Sequence, residues 1–364
     1  MEMGFPLPVD NFKDMSVKIV AVAKQLPKYS RTTEEILPFL DSWLFGKEER
    51  FIRKVKKIFD GAAVEKRYSI MEPSEVFTAT SFADKNDIYS REVVILGEQV
   101  LLKALEKANW NPEDLDYIIT VSCTGIMIPS LDAYLINRLK LRQDIVRLPV
   151  TEMGCVAGVS GIIYAKNFLA SNPGKRAAVI AVESPTATFQ LDDFSMANIV
   201  SAAIFGDGAA CVLLSSDENE EGPEILAEEM YHFYDNEHMM GFKLTNSGLQ
   251  MVLDIEVPDT IAAHFPAIIH PFLAKNDLEI DDIEHLIFHP GGKKIVQTVE
   301  ALFSDSGKNI DATKEVLRLY GNMSSATVLY VLDSIMQQQP KKGEKGLMLS
   351  FGPGFTAQRV LLQF

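Results

Sequence analysis

Three residues able to handle a thioester stand out in the sequence: Cys155, His289 and Asn322. Cys155 follows an extended-looking stretch, Ile145 to Met153, and opens a run of small residues that includes Gly154, Ala157, Gly158, Ser160 and Gly161. A sulfur at the start of such a helix lies near unpaired N–H groups and the positive end of the dipole, which favours the thiolate. On composition alone the same cysteine reads as a small packed hydrophobe. His289 ends a predicted strand, Leu286 to His289, and Pro290-Gly291-Gly292 follows, a turn that lets backbone or substrate approach the imidazole. Its alternative is a hydrogen-bonded core histidine. Asn322 follows Gly321 at a predicted helix start, where asparagine is a common N-cap; its amide can equally donate to a thioester oxygen. As a set, a Cys–His pair supplies an activated acyl acceptor, and His and Asn donors can stabilise the enolate left when a malonyl thioester loses carbon dioxide. Decarboxylation replaces proton abstraction, so no carboxylate base is required.

The elements that position these residues come as a repeat. Leu105 to Ile119 aligns without gaps on Leu273 to Ile287, each reading as a helix end, an acidic turn and a buried strand. Further on, Met153-Gly154-Cys155 leads into a helical run, Val156 to Ser171, and Tyr320-Gly321-Asn322 leads into another, Met323 to Gln339. This pairing places Cys155 and Asn322 at equivalent points of two halves. A turn and an apolar strand follow each helix, Ala177 to Val182 and Gly346 to Ser350, completing a βαβ rhythm. The expected organisation is an N-terminal half, residues 1–222, carrying the cysteine and a C-terminal half, residues 223–364, carrying His and Asn. The acidic stretch Ser215 to Glu224 marks the boundary, or else is an ordinary surface loop.

Composition narrows the function. The 364 residues are 47% hydrophobic and 23% charged, as in a globular protein with room for a large core. A net charge of −15 argues against binding a phosphate backbone, so no nucleic-acid partner is expected. Cys123, Cys155 and Cys211 show no CxxC spacing, so neither a disulfide framework nor a metal site is indicated, and a reducing cytoplasm fits. Met1 to Asp14 lacks a leader pattern and no stretch is apolar enough to span a bilayer, so no integral membrane association is expected. The G-x-S-x-G, phosphate-loop and HExxH motifs are absent.

Five motifs in order give the chain a specific resemblance: Glu152-Met-Gly-Cys155-Val-Ala-Gly158, Ile204-Phe-Gly-Asp-Gly-Ala209, Phe288-His-Pro-Gly-Gly292, Tyr320-Gly-Asn-Met-Ser-Ser325 and Phe351-Gly-Pro-Gly-Phe-Thr356. Along nearly its whole length the sequence resembles the type III polyketide synthases, the chalcone and stilbene synthase-like enzymes. The resemblance implies an α/β, thiolase-like fold of two duplicated halves forming a five-layered αβαβα core, in a homodimer. It implies Cys155 loaded from an acyl-CoA and extended with malonyl-CoA, with no tightly bound cofactor beyond these coenzyme A thioesters. By motif position Phe205 corresponds to a gating aromatic, Gly352-Pro353-Gly354 to the loop beside the nucleophile, and Thr188 and Ser324 to cavity positions. Met251 replaces the family's second gating aromatic, Phe242 falls near a position often Gly in plant members, and Cys123-Thr124 replaces a Thr-Ser pair. Ile128 aligns with the methionine that reaches toward the partner subunit.

For coenzyme A, the run Arg50, Arg53, Lys54, Lys56 and Lys57 on a predicted helix offers local positive charge. Lys54, Lys57 and Lys294 are the expected contacts, and one further basic family position is Gly61 here. A linear polyketide cyclising to a pyrone or a resorcinol/phloroglucinol ring is the expected product, with a fatty acyl starter and an alkylpyrone or alkylresorcinol suggested by Met251. The alternatives are a ketoacyl-carrier-protein synthase of the same Cys-His-Asn type, condensing once, a hydroxymethylglutaryl-CoA synthase using Glu152 as base, and a non-catalytic acyl-binding descendant. The last is expected to have lost at least one of the three residues, and all three remain.

Overall fold

The computed structural model describes residues 16–78 and 81–364; the N-terminal stretch read for a leader lies outside them. Nine strands form one sheet in the order His285–Phe288, Lys345–Gly352, Thr356–Gln363, Glu224–His232, Lys18–Gln25, Gly208–Ser215, Arg176–Glu183, Tyr117–Val121, Val146–Val150. Its middle is a seam: Lys18–Gln25 and Glu224–His232 share a single register pair, Lys18 with Glu224. On each side of the seam the pattern repeats, two antiparallel steps and then a parallel one. Val146–Val150 adds a fifth, edge strand to the first side only.

Strands in this sheet are apolar on both faces because helices cover both. In Arg176–Glu183, Ala177, Val179 and Ala181 face one cluster while Ala178, Ile180 and Val182 face another. In Lys345–Gly352, Leu347, Leu349 and Phe351 face a third cluster and Met348 turns back to the middle one. The middle cluster takes residues from strands on both sides of the seam and from the two helices between them, so the layers run helix, half-sheet, helix pair, half-sheet, helix. The outer helix layers include Phe82–Ala108 on one side and Val257–Ala274 on the other; the helices Ala157–Ala170 and Thr327–Gln337 fill the centre. Among the described residues no helix is long and apolar enough to cross a membrane.

The first repeat holds in register from a left-handed residue onward, although the helices before it end two residues out of step. The helices ending at Ala108 and Ala274 both pass into a left-handed residue, Asn109 (φ 54°) and Asp277 (φ 55°), then the turns Pro112–Asp114 and Ile280–Asp282, then the strands Tyr117–Val121 and His285–Phe288. The second match needs a correction. The central helices are each preceded by one tight turn, Gly154–Val156 and Ser324–Ala326, whose first residues both have positive φ, 55° and 48°. Aligned on these turns, the counterpart of Cys155 is Ser325, and Asn322 lies three residues earlier on the approach.

The two central helices meet closely. A Cβ at Gly158 would stand 2.2 Å from the Ser325 carbonyl oxygen. Gly158→Ala, a stabilising change in an open helix, is therefore expected to destabilise by about 1–3 kcal/mol, visible as a lowered urea midpoint. An unchanged or raised midpoint contradicts this contact.

Candidate active site

One apolar cavity of about 70 Å³ brings the predicted catalytic residues together, with Cys155, His289 and Asn322 all in its wall. Cys155 lies in the tight turn Gly154–Val156, ahead of the helix Ala157–Ala170. A side chain at Gly154 would collide with Pro353 at 2.6 Å, and one at Gly352 with the Val156 nitrogen at 2.8 Å. The Gly352-Pro353 segment thus packs directly on the nucleophile turn, and Ser350 Oγ donates to the Cys155 carbonyl at 2.8 Å. Of the expected loop, Pro353 lines the cavity and Gly352 and Gly354 do not: Gly352 is pressed on the Val156 backbone, and a Cβ at Gly354 would meet open space.

His289 continues the strand His285–Phe288, its N–H donating to Leu349 O at 3.0 Å, and the Gly291 N–H turns back to the His289 carbonyl at 3.0 Å. Its ring is 2% exposed, and among the described residues neither ring nitrogen has a hydrogen-bond partner. A buried imidazole with both nitrogens unanswered is costly unless a ligand meets them. Asn322 is oriented by its acceptors and donors: Oδ1 receives the Ser324 N–H at 2.8 Å and the Thr327 hydroxyl at 3.3 Å, while Nδ2 donates to Gly291 O at 3.2 Å. This is an Asx turn rather than the expected N-cap, and it leaves the second Nδ2 hydrogen for a ligand. Backbone bonds, Asn322 N–H to Ile204 O at 2.8 Å and Gly206 N–H to Asn322 O at 3.1 Å, tie it to Phe205.

The expected resting thiolate is not favoured here. Burial pushes the Cys155 thiol up to about 12, only partly offset by a hydrogen bond with Ser324 (Sγ to Oγ 3.6 Å). Burial also pushes the His289 imidazole down to about 3. The ligand-free pair is therefore neutral at pH 7, because the dry cavity penalises both charges more than the helix end favours one. Unfolding releases His289 to its ordinary value of 6.5, so between pH 6.5 and about 3 the unfolded chain binds a proton that the folded chain does not. Stability is lost as pH falls through that window. From pH 7 to 5 the wild type is expected to lose about 2 kcal/mol more than His289→Gln in urea unfolding; equal losses contradict the buried neutral imidazole.

Of the expected cavity positions, Phe205, Phe242, Met251, Cys123, Thr124 and Ser324 share the wall with the catalytic three. Phe242 and Met251 are register partners in the hairpin formed by Met240–Thr245 and Gly248–Leu253. Thr188 does not join them: it lines a neighbouring cavity of about 80 Å³, behind a partition made by Pro185, Phe205 and Met251. The reason is local, since Thr188 closes the turn Pro185–Thr188 and its hydroxyl donates to Pro185 O at 2.8 Å. Lys54, Lys57 and Lys294 are exposed and join neither of these two cavities; Lys293, next to the last of these, faces an open cleft with Asp60 and Gln297. Glu152 is exposed, outside the Cys155 cavity.

Glu183 was not foreseen. It ends the buried strand Arg176–Glu183 and accepts from Ser325 Oγ at 2.5 Å, Thr124 Oγ1 at 2.9 Å and Cys123 N–H at 3.0 Å. Burial raises its carboxyl above the usual range against these bonds. Cys123 Sγ lies 3.7 Å from this carboxylate and 3.5 Å from Ser324 Oγ. Glu183 thereby joins the Cys123-Thr124 wall to the turn before the second central helix. The available signal was a carboxylate closing the apolar run Ala177 to Val182.

Comparison with known proteins gives the same constellation a lineage. The family model for chalcone and stilbene synthases, N-terminal domain, matches residues 15–218, and that for the C-terminal domain matches residues 227–364. The chain is 32% identical over 358 residues to a 1,3,6,8-tetrahydroxynaphthalene synthase of Streptomyces peucetius subsp. caesius, covering 96% of this chain and 94% of the other. It is 28% identical over 335 residues to a phloroglucinol synthase of Pseudomonas fluorescens, covering 92% and 95%. The crystal structure of 1,3,6,8-tetrahydroxynaphthalene synthase from Streptomyces coelicolor A3(2), a bacterial type III polyketide synthase, superposes with a TM-score of 0.89 at 25% identity, over 95% of this chain and 99% of that one. The duplicated fold, the Cys-His-Asn cavity and matches across both halves lead to one assignment: this chain belongs to the chalcone and stilbene synthase family and is an enzyme of the type III polyketide synthase class.

Proposed function

We propose that the enzyme transfers an acyl group from an acyl-CoA to Cys155, extends it repeatedly with malonyl-CoA by decarboxylative condensation, and releases a cyclised pyrone or resorcinol/phloroglucinol-type product. The observation that supports this most is the set of unanswered donors and acceptors, two ring nitrogens of His289 and one Asn322 amide hydrogen, on the same cavity wall as the Cys155 sulfur. In loading, His289 takes the thiol proton as sulfur attacks the acyl carbonyl, and the coenzyme thiol leaves with that proton. In extension, His289 and Asn322 donate to the malonyl thioester oxygen while carbon dioxide departs. The resulting enolate attacks the acyl-cysteine carbonyl and the cysteine sulfur is released for the next cycle.

The lining favours an aliphatic starter. Met240, Phe242, Met251, Leu253 and Ile204 make the wall apolar, and unbranched methionines adapt to a flexible chain. Fatty acyl-CoA starters and alkylpyrone or alkylresorcinol products follow from this reading. Incubation with radiolabelled malonyl-CoA and matched aliphatic and aromatic starters, followed by product mass analysis, tests it: medium-chain aliphatic starters are expected to be extended fastest. Preference for an aromatic starter overturns the aliphatic reading while leaving the condensation chemistry intact.

The working form is a homodimer in the cytoplasm. Its support is the edge strand Val146–Val150, which has a partner on one side only among the described residues, together with the exposed apolar residues Ile126, Ile128 (94% exposed) and Tyr134. The three cysteines are free thiols, as suits a reducing compartment.

A further inference from the structure

We infer that the hairpin of residues 240–253 is a yielding wall of the Cys155 cavity, latched by a hydrogen bond from Gln250 to Asp193, and that this latch sets how far the acyl chain is extended. The inference rests on the condensation reading above and adds to it a length-determining pair that lines neither of the two cavities.

The need for a yielding wall comes from size. A cavity of about 70 Å³ has room for roughly five waters at about 10–15 Å³ each. An aliphatic acyl group with its added malonate units has more heavy atoms than that, so some part of the lining must move as the chain grows. Several stretches of the lining are pinned. Gly154 is packed against Pro353, Asn322 Nδ2 donates to Gly291 O at 3.2 Å, and Cys123 and Thr124 both donate to Glu183.

The hairpin is held differently. Its strands, Met240–Thr245 and Gly248–Leu253, form a two-stranded sheet of their own, from which Met240, Phe242, Met251 and Leu253 face the cavity. Near its base Gly241 takes φ 153°, with nothing within 4 Å of where a Cβ would stand, so the backbone there can swing freely. Among the described residues two side-chain hydrogen bonds tie the second strand to the body of the protein. Gln250 Nε2 donates to Asp193 Oδ2 at 2.9 Å, and Gln190 Nε2 donates to Leu249 O at 3.4 Å, beyond the usual range. The first is the stronger, because its acceptor is a carboxylate. Its anchor is also rigid: Asp193 receives the Ser195 N–H at 2.8 Å and the Ser195 hydroxyl at 3.0 Å, and Ser195 caps the helix Met196–Ile204, which leads into Phe205 in the cavity wall. A small detached sheet held by one firm side-chain bond opens more readily than the nine-stranded sheet beneath it. With the latch closed, a lengthening chain meets Phe242 and Met251; with it open, those side chains move off with their strands.

The test reads product length and hairpin opening in the intact enzyme. Wild type and two variants are given octanoyl-CoA and labelled malonyl-CoA, and the malonate units in each product are counted by mass. Gln250→Ala is expected to raise the proportion of products with one further unit about fivefold, the equilibrium worth of one such bond. Gln250→Arg, which meets the same carboxylate through an ion pair, is expected to shift the proportion the other way. Acyl transfer to Cys155 is expected to stay within about twofold of wild type in both. Hydrogen–deuterium exchange supplies the direct view: amides of residues 240–253 are expected to exchange faster when Cys155 carries octanoyl than when it carries acetyl. An unchanged proportion, a shift in the same direction in both variants, or hairpin exchange that ignores acyl length overturns the latch and leaves condensation standing. A wild type that makes no malonate-derived product removes the condensation reading and this inference with it.

Discussion

Cys155→Ala is expected to form no acyl-enzyme and no condensed product, yet to retain measurable release of carbon dioxide from malonyl-CoA. The division follows from where the groups sit. The proposed acceptor of the starter is the sulfur, and among the described residues Cys155 is the one side chain of the tight turn Gly154–Val156 in the cavity wall. Decarboxylation instead draws on His289 and Asn322, which are held by elements other than the cysteine turn: the strand His285–Phe288, the turn at Gly291 and the backbone bridge to Phe205. Removing the thiol leaves those supports intact. Cys123 is not expected to replace it, because its sulfur lies off that turn and directly against the Glu183 carboxylate, 3.7 Å away, a negative charge that opposes a thiolate there. Quench-flow labelling with acyl-CoA and a separate carbon dioxide assay check the two halves of this expectation. Retained acylation contradicts the assigned nucleophile.

Asn322→Ala is expected to show the converse, near-normal loading of Cys155 and a decarboxylation rate lowered about 10²–10³-fold, the usual consequence of losing one preorganised donor to a developing oxyanion. The variant also loses the acceptor for Ser324 N–H and Thr327 Oγ1. A thermal unfolding measurement therefore accompanies the kinetics, because the claim concerns a partial reaction, and a general loss of structure would depress loading equally. Equal loss of loading and decarboxylation in both the Cys155 and Asn322 variants contradicts the division of labour. His289→Ala, serving both steps, is expected to lower both, by about 10²–10⁴-fold for its proton-transfer role.

How far the sequence foretold this site depended on the kind of information required. The three proposed catalytic positions were legible through the ordered motifs that hold them rather than singly; Cys155 and Asn322 each follow a glycine with positive φ and no room for a side chain, Gly154 against Pro353 and Gly321 with its Cβ direction 2.7 Å from Ile204 O. The repeat of Leu105 to Ile119 in Leu273 to Ile287 was legible because an acidic turn between a helix and an apolar strand leaves the same trace twice. The pairing of Cys155 with Asn322 misled by three residues, since the equivalence is set by backbone φ at Gly154 and Ser324, and a serine in a left-handed conformation carries no mark in the sequence. Thr188 went astray because a proline-led turn rotates its hydroxyl onto Pro185 and away from the nucleophile. The thiolate expectation weighed the helix end but not the dryness of the cavity, a property of packing around the site that single residues do not reveal. Glu183 was hidden for the same reason, its partners lying at positions 123, 124 and 325.

The most direct measurement is to mix the purified enzyme briefly with one acyl-CoA, quench with acid, and map the adduct by peptide mass spectrometry. The expected result is one acyl mass on the peptide carrying Cys155, absent from Cys155→Ala and chased into a malonate-derived product when malonyl-CoA is added before the quench. An acyl group found only on another residue, or an adduct on Cys155 that malonyl-CoA leaves untouched, contradicts it.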